Sequence, residues 1–312
     1  MAVTATVAGT LGGADERGAQ AISRRGRGFS PPPPAKPVKA RRVLPGFGIT
    51  MGLTLTYLGI IVLLPLAALI LKSAEIGFDG FWQVLSSPRV LASFQLTFTA
   101  ALIATMINAV YGLLMAWILV RYDFPGKRFV DALVDLPFAL PTAVAGVALT
   151  TLFAGTGWYG QWLEPAGIQV AYTIIGVAIA MAFTSVPFVI RTVQPVLETL
   201  DSQIEEASVT LGAYPFTIFR RVILPMIAPA YLTGCALAFA RSLGEFGAVI
   251  FIAGNLPFKT EIAALLIFIR LEEFDYPAAS AIAAVLLALA FIILFATNVL
   301  QARWLRRREA SA

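Results

Sequence analysis

The positions of charged residues along the chain predict a series of membrane-spanning helices. Five stretches contain no Asp, Glu, Lys or Arg, at 43–71, 90–120, 136–163, 165–190 and 276–302. A sixth, 222–258, is interrupted only by Arg241 and Glu245. Because a helix needs about 20 largely apolar residues to cross a bilayer, the pattern predicts six transmembrane helices. Their predicted ranges are about 49–71, 92–119, 132–153, 173–195, 229–253 and 278–301.

The composition supports an all-α polytopic membrane protein and excludes much catalytic chemistry. The 312 residues are 58% hydrophobic and 13% charged, whereas soluble domains have about 25% charged residues. The chain contains no His and one Cys. These counts exclude His-ligated metal sites, Cys/His zinc sites, Ser-His-Asp triads and internal disulfides. A water-soluble enzyme is therefore not expected.

The basic residues predict how the helices are oriented. Most of the 23 Lys and Arg residues fall on one side of the predicted spans, and the other side holds only Lys72, Arg89, Lys259 and Arg270. Since cytoplasmic segments carry the excess of basic residues, both termini are expected in the cytoplasm. The net charge of +5 is spread along this edge, so no nucleic-acid partner is expected.

Three regions differ in composition. Residues 1–45 are rich in Gly, Ala and Arg and include four consecutive prolines, which favours a disordered or extended cytoplasmic tail. Residues 46–305 form the predicted transmembrane domain in the lipid bilayer, and residues 306–312 a basic cytoplasmic C-terminus.

One predicted cytoplasmic segment, residues 198–225, differs from the other loops. In its first part, about 201–211, apolar residues recur at helical spacing and acidic residues lie near the N-terminus, where the helix dipole favours them. Gly212 permits a turn, and Pro215 suits the first turn of a second helix, which is expected to end at Leu224-Pro225. A rigid helix of this kind can transmit a displacement, and the alternative is an interfacial helix resting on lipid.

This segment resembles the EAA loop of ABC importer permeases. Glu206-Ala207-Ser208, Gly212 and Leu224-Pro225 have the spacing of the family motif, with Ser208 in place of the second Ala. The resemblance implies a type I importer permease fold and a coupling helix, at about 201–213, that docks on a cytoplasmic ATPase. The residues expected to couple to the ATPase are Glu205, Glu206, Ala207, Ser208, Leu211, Gly212, Leu224 and Pro225.

The chain lacks a phosphate-binding loop of its own. Its Gly126-Lys127 pair lacks the first Gly of G-x-x-x-x-G-K-[ST] and is followed by Arg128. No catalytic residue, cofactor or metal site is therefore expected in this chain, and ATP and Mg are expected on the partner ATPase.

A second resemblance narrows the branch. Residues 241–255, which begin Arg-Ser-Leu-Gly-Glu-Phe-Gly, and residues 136–142 are similar to the sulfate and molybdate permeases. Residues 260–262 and 272–276 favour the sulfate/thiosulfate members of the T (or U) type, and the similarity covers about 45–305.

This second resemblance implies a bacterial inner-membrane location and a multi-subunit assembly. The partners it implies are a second, homologous permease subunit of the W type, two cytoplasmic ATPase subunits and an extracytoplasmic sulfate-binding protein. The choice among sulfate, thiosulfate, molybdate and tungstate stays open. Whether the two permease subunits are identical or different also stays open.

An oxyanion needs a protein-lined path with hydrogen-bond donors to replace its hydration. Prolines and glycines that interrupt helices free backbone groups, and hydroxyl side chains add donors. The candidates for the path or its gate are Pro137, Pro141, Thr142, Arg241, Ser242, Gly244, Glu245 and Gly247. Helix packing is the alternative role for each of them.

Arg241 and Glu245 are predicted on one helix, near mid-bilayer and four residues apart. Charges at this depth must face protein or water. Either they pair only with each other, or Arg241 offers positive potential to the anion while Glu245 latches a gate.

The sequence leaves two rival classes of function. A gradient-driven anion transporter would need no ATPase-docking helix. A membrane enzyme would need catalytic groups, and the acidic pair Asp131 and Asp135 is expected instead to compensate a helix dipole.

Overall fold

The computed structural model describes residues 47–309, with side chains to residue 299 and at Arg303. The predicted tail at 1–45 lies outside the described residues. Within them the fold is helical and contains no strand. In chain order the elements are α1 Phe47–Leu58, a first π-turn Gly59–Leu63, α2 Leu64–Ala74, α3 Gly77–Leu85, α4 Pro88–Arg121, α5 Lys127–Val134, α6 Leu136–Ala139, α7 Thr142–Phe153, α8 Gly160–Leu163, α9 Ile174–Glu198, α10 Ser202–Thr210, α11 Pro215–Ile218, a second π-turn Phe219–Ile223, α12 Leu224–Leu243, α13 Gly247–Ile252, α14 Ala263–Glu272 and α15 Tyr276–Glu309.

The all-α polytopic fold predicted from the sequence is confirmed. Five stretches of helix in the described residues are long and apolar enough to cross a membrane: Phe47–Ala74, Pro88–Arg121, Ile174–Glu198, Pro215–Leu243 and Tyr276–Val299. The chain divides after Leu58 into two units, which are described separately. The first unit contributes α1, in which no residue is buried, and the second contains the packed helices that follow.

The predicted third span, 132–153, is not one helix. It is divided among α5, α6 and α7, with breaks at Asp135 and at Leu140-Pro141. A residue that precedes proline is disfavoured in the helical region, and Leu140 accordingly has an extended backbone (φ −79°, ψ 134°). The prolines that the sequence marks as helix interruptions therefore divide the span itself.

The predicted fifth span, 229–253, differs from the structure at both ends. The helical stretch starts earlier, at Pro215, and passes through Leu224-Pro225. The sequence predicted that a separate short helix would end at this Leu-Pro pair, before the span. The second π-turn lies immediately before this Leu-Pro pair, and the first lies before Leu64-Pro65 in the same way. A wider π-turn accommodates a proline because the ring clashes with a carbonyl one α-turn earlier.

At its other end the same helix stops at Leu243, and α13 begins at Gly247. Arg241 therefore lies in the last turn of α12 rather than at the middle of a continuous span, and Glu245 lies in the break. The reason is local: the Glu245 carboxylate accepts a hydrogen bond from the Ala248 backbone N–H at 2.9 Å, which replaces a bond of the regular helix.

Helix α9 is the centre of the packed unit, with α4 and α12 as its main neighbours. More than half of its apolar stretch is buried, including small residues such as Ala178 and Ala180. Gly112 of α4 and Gly234 of α12 approach α9 from two directions at Val189. A Cβ at Gly112 would lie 2.8 Å from Val189 Cβ, and one at Gly234 would lie 2.9 Å from Val189 Cα. Backbone contact of this closeness requires glycine.

We predict that Gly234→Ala destabilises the protein by about 1–3 kcal/mol, the range for overpacking a close contact, because the new methyl group collides with the Thr192 hydroxyl and also meets the Val189 backbone. The measurement is the thermal unfolding midpoint of the purified protein in detergent. The matched control is Gly52→Ala in α1, where an added Cβ has nothing within 4 Å. Equal midpoints for the two variants would show that α9 and α12 do not depend on this contact.

Candidate coupling segment and translocation site

A short helix, α10, lies where the coupling helix is predicted, and its two ends are fixed by local hydrogen bonds. At the start, the Asp201 carboxylate accepts a hydrogen bond from the Gln203 backbone N–H at 2.9 Å, as an N-cap does. At the end, Gly212 adopts φ +81°. Its N–H bonds to the Val209 carbonyl at 2.9 Å, and the next N–H, of Ala213, bonds to the Ser208 carbonyl at 3.1 Å. This is the Schellman pattern, which glycine favours.

The exposed surface of this segment includes four large apolar side chains. Leu211 is 88% exposed, and Val209, Tyr214 and Phe216 are also exposed. We call these four residues the docking patch. Large apolar groups are seldom grouped in the open on a soluble surface without a partner. The patch includes Leu211 from the predicted set, whereas Tyr214 and Phe216 were not predicted as contact residues.

The two glutamates of α10 face different surroundings. Glu206 is exposed and has no ion-pair partner among the described residues. Glu205 is about three-quarters buried and pairs through Oε1 with Arg121 Nη2, at the end of α4. Of the other predicted residues, Ser208 is half-buried and donates its hydroxyl hydrogen bond to the Ile204 carbonyl, and Ala207 is exposed. Leu224 and Pro225 lie within the long helix that follows the second π-turn.

Several predicted path residues come together at the break between α12 and α13. Arg241 Nη1 lies 2.7 Å from Glu245 Oε2, so the two charges pair across the break. Glu245 is 1% exposed, whereas the Arg241 side chain is 33% exposed. Glu245 Oε2 contacts the Arg241 guanidinium as an ion pair, but the geometry of this contact is not that of a hydrogen bond. The carboxylate is thus buried and the guanidinium partly open, which leaves positive charge on the accessible side.

Helix α7 packs directly on α13 at the same break. A Cβ at Gly247 would collide with the Thr142 side chain, whose Cβ would lie 3.1 Å away, and one at Gly146 would lie 2.8 Å from Ala248 Cα. Gly244 is exposed. The residues Thr142, Gly244, Glu245 and Gly247 therefore form one region, as the path hypothesis requires.

Ser242 and Pro137 have other surroundings. Ser242 is fully buried, with Oγ 2.8 Å from the Ala238 carbonyl and 3.1 Å from Ser185 Oγ. Asn108 Nδ2 donates to the same Ser185 Oγ at 2.8 Å, so the polar contact joins α4, α9 and α12. Pro137 lines a predominantly apolar cavity of about 570 Å³ between α4, α5, α7 and α9. Pro141 is exposed at the start of α7.

The family model described as the inner membrane component of binding-protein-dependent transport systems matches residues 108–309. The chain belongs to this family. The matched range contains the coupling helix, the broken third span and the α12–α13 break, so the family predicted from the EAA-like motif is confirmed.

Relatives in this transport family are similar over most of their length. The sulfate transport system permease protein CysT of Escherichia coli (strain K12) is 56% identical over 270 residues, which cover 86% of this chain and 98% of the relative. The protein of the same name from Synechocystis sp. is 52% identical over 81% of this chain and 88% of the relative.

Solved structures show the same fold. A chain from a bacterial alginate ABC transporter in complex with a pentasaccharide-bound periplasmic protein matches with a TM-score of 0.69 at 17% identity, over 82% of this chain and 93% of that chain. A chain of the inward-facing MetNI methionine ABC transporter matches with a TM-score of 0.52, also at 17% identity, over 68% of this chain and 94% of that chain. At these identities the similarity shows a shared fold, that of the type I importer permeases.

Besides Arg121–Glu205, two further long-range ion-pair sites in this permease were not predicted from the sequence. Arg89 donates from Nε and Nη2 to both oxygens of Glu261, at 2.8 and 2.7 Å, and Glu261 is buried. Arg191 contacts the Asp135 carboxylate at 2.8 and 2.7 Å and Asp131 Oδ1 at 2.7 Å. The available signal was a lone charge in or beside an apolar stretch, which needs a partner.

The structure gives Asp131 and Asp135 a role other than the predicted helix-dipole compensation. Asp131 lies in the second half of α5, and Asp135 stands between α5 and α6 without making a capping hydrogen bond. Their carboxylates instead hold α5 to Arg191 of α9, and Arg191 Nη2 also donates to the Asp131 carbonyl at 2.8 Å. In the described residues, no group of three or more acidic or thiol side chains is arranged to hold a metal ion.

We predict that Arg241→Ala costs about 3–5 kcal/mol of stability, since it leaves the Glu245 carboxylate buried and unpaired. The measurement is again thermal unfolding in detergent. Adding Glu245→Gln to that variant should recover much of the loss, because a neutral amide oxygen still accepts the Ala248 N–H bond.

The control for this prediction is Lys72→Ala. Lys72 and Glu75 also form an ion pair, but both side chains are about half exposed, so the loss should stay below about 1 kcal/mol. A double variant less stable than Arg241→Ala alone would contradict the account of a buried carboxylate that depends on its arginine.

Proposed function

We propose that this chain is the membrane-spanning permease subunit of an ATP-driven importer that carries sulfate or thiosulfate into the cytoplasm. The observation that carries the proposal is the capped coupling helix with its exposed docking patch, in a chain 56% identical to a sulfate transport permease over 98% of that relative. A gradient-driven transporter has no use for such a patch.

The partners follow from this role. The docking patch and Glu206 contact a cytoplasmic ATPase, which binds ATP and Mg. A second permease subunit, homologous and of the W type, completes the path, because one chain of this fold does not surround a channel. Two ATPase subunits serve the permease pair, and a sulfate-binding protein delivers the anion on the opposite face. Both termini lie in the cytoplasm, as the basic residues predict.

The transport cycle assigns a task to each part of the chain. ATP binding closes the ATPase pair and pushes α10, so the permease pair opens outward to receive the anion. Hydrolysis and product release return the pair to the inward-open state. The chain's own contribution is rigid transmission through α10 and a gate at the α12–α13 break, where Arg241 presents positive charge to the anion.

The substrate test is uptake of labelled sulfate in cells that lack this chain, with and without the chain restored. We expect the restored chain to recover sulfate uptake. Excess thiosulfate should inhibit this uptake, and molybdate should not. Inhibition by molybdate or tungstate at equal concentration would assign the chain to the molybdate/tungstate branch instead. Uptake that persists after ATP depletion, with the ion gradient kept, would assign it to the gradient-driven class.

The coupling test is co-purification of the ATPase with Gly212→Pro. Proline fixes φ near −65° and removes the N–H group, so the left-handed turn and the bond to the Val209 carbonyl are both lost. We expect the ATPase to dissociate from this variant and uptake to stop.

Gly167→Pro is the matched control for that test. Gly167 has φ +82° and its N–H bonds to the Glu164 carbonyl at 2.9 Å, nearly the geometry of Gly212, but it lies in a different loop. Its variant should retain the ATPase. Equal loss of the ATPase in both variants would indicate general unfolding rather than a specific docking site.

A further inference from the structure

Arg121 occupies an unusual position at the end of α4. It is the last residue of that helix and lies beside α10, so it is where the long packed helix meets the proposed coupling helix. Its guanidinium pairs with Glu205 through Nη2. The Arg121 side chain is 23% exposed and that of Glu205 28% exposed, so the pair is screened by water far less than a surface ion pair.

The guanidinium also rests on an aromatic pair. Arg121 Cζ lies 5.2 Å from the centre of the Trp117 ring, within the range of a cation–π contact. The Trp117 ring in turn meets Phe219 edge-on, with centroids 5.4 Å apart. Phe219 is the first residue of the second π-turn. Arg121 is therefore connected to the segment before the docking patch, through Glu205, and to the segment after it, through Trp117 and Phe219.

The two glutamates of α10 divide their roles accordingly. Glu205 turns inward to Arg121, while Glu206 is exposed and unpaired within the described residues. A carboxylate already paired inside the chain has one face left for a docking partner, whereas Glu206 has all of its hydrogen-bonding capacity available. The adjacent acidic residues are thus not equivalent.

We propose that Arg121 is a positioning residue that locks the coupling helix to α4, so that a displacement of α10 moves α4 instead of being absorbed by the turns at Asp201 and Gly212. This inference rests on the proposed function. It assigns Glu205 to the inside of the permease and leaves Glu206 to the ATPase. The buried Nε of Arg121, which has no hydrogen-bond partner among the described residues, means that Glu205 and the Trp117 ring alone hold the guanidinium.

The test uses the complete importer in proteoliposomes and measures labelled sulfate taken up per ATP hydrolysed. For Arg121→Gln we expect this ratio to fall about fivefold or more, the lower bound for coupling between distinct sites, while the ATPase still co-purifies with the permease. The charge exchange Arg121→Glu with Glu205→Arg should restore most of the ratio. A side chain that only stabilised the fold would change the yield of complex and not the ratio.

Two further variants make the outcome decisive. Arg128 is an exposed basic residue on the same predicted cytoplasmic side as Arg121, and it forms no ion pair within the described residues. The variant Arg128→Gln should therefore keep the wild-type ratio. Glu206→Gln should weaken ATPase co-purification, unlike Arg121→Gln. An unchanged ratio in Arg121→Gln, or loss of the ATPase from it to the same extent as from Glu206→Gln, would overturn the inference.

Failure of the proposed function has a different signature. If the wild-type chain retains no ATPase and its uptake needs no ATP, the function itself is wrong, and the role of Arg121 is overturned with it. If wild-type uptake is coupled to ATP and the Arg121 variants keep the wild-type ratio of sulfate to ATP, the proposed function stands and the role of Arg121 is refuted.

Discussion

The close packing of α9 between α4 and α12 is the contact on which the rest of this structure depends. Apolar helices gain little from association in lipid, since the tails are as apolar as the side chains, so contact area and buried polar bonds must hold them. Glycines at 112 and 234 bring both neighbours against Val189. The Asn108–Ser185–Ser242 contact joins the same three helices by hydrogen bonds. Helix α9 ends at Glu198, and α10 begins at Ser202. The short connection between them joins α10 directly to this core.

Two helix ends in this core are matched by a specific polar side chain from the protein. In a bilayer an unsatisfied backbone group costs several kcal/mol, so irregular segments occur only where protein supplies the missing bonds. The Glu245 carboxylate supplies one to Ala248 beyond the end of α12. Thr97 Oγ1 supplies another, at 2.8 Å, to the N–H of Ala263 at the start of α14. The Glu245 charge, which looks costly in the sequence, thus supplies a bond that the α12–α13 break needs.

The sequence predicted the long helices and the coupling segment well because each depends on local information. Apolar length determines a span, and the Asp201 cap and the Gly212 turn determine α10 from residues within the segment itself. The unaided pattern failed where two signals compete. At Leu224-Pro225 a proline usually ends a helix, but a π-turn one residue earlier lets the helix continue. At 132–153 apolar length predicted one helix, although two prolines divide it.

Long-range pairing could not be predicted at all. Nothing in the spacing of Arg191 and Asp131, sixty residues apart, or of Arg121 and Glu205 indicates that they meet, because that depends on how the helices pack. The adjacent pair Glu205 and Glu206 shows the consequence most clearly. As residues of one motif they were predicted to act alike, and the structure separates them according to which side of a short helix faces α4.

Under the proposed function, these pairings give a route by which a push on α10 would reach the α12–α13 break. Arg191 clamps α5 to α9, so the broken third span moves with the central helix at its α5 end. The other end of that span, α7, presses on α13 through Gly146 and Thr142. Between them lie the breaks at Asp135 and Pro141, where the backbone can change direction at small cost. Because the third span is divided, its two ends are held separately, α5 to α9 through Arg191 and α7 to α13 through close packing. The two prolines of the gate hypothesis therefore lie between two fixed ends, which their surroundings alone, one in an apolar cavity wall and one exposed, do not suggest.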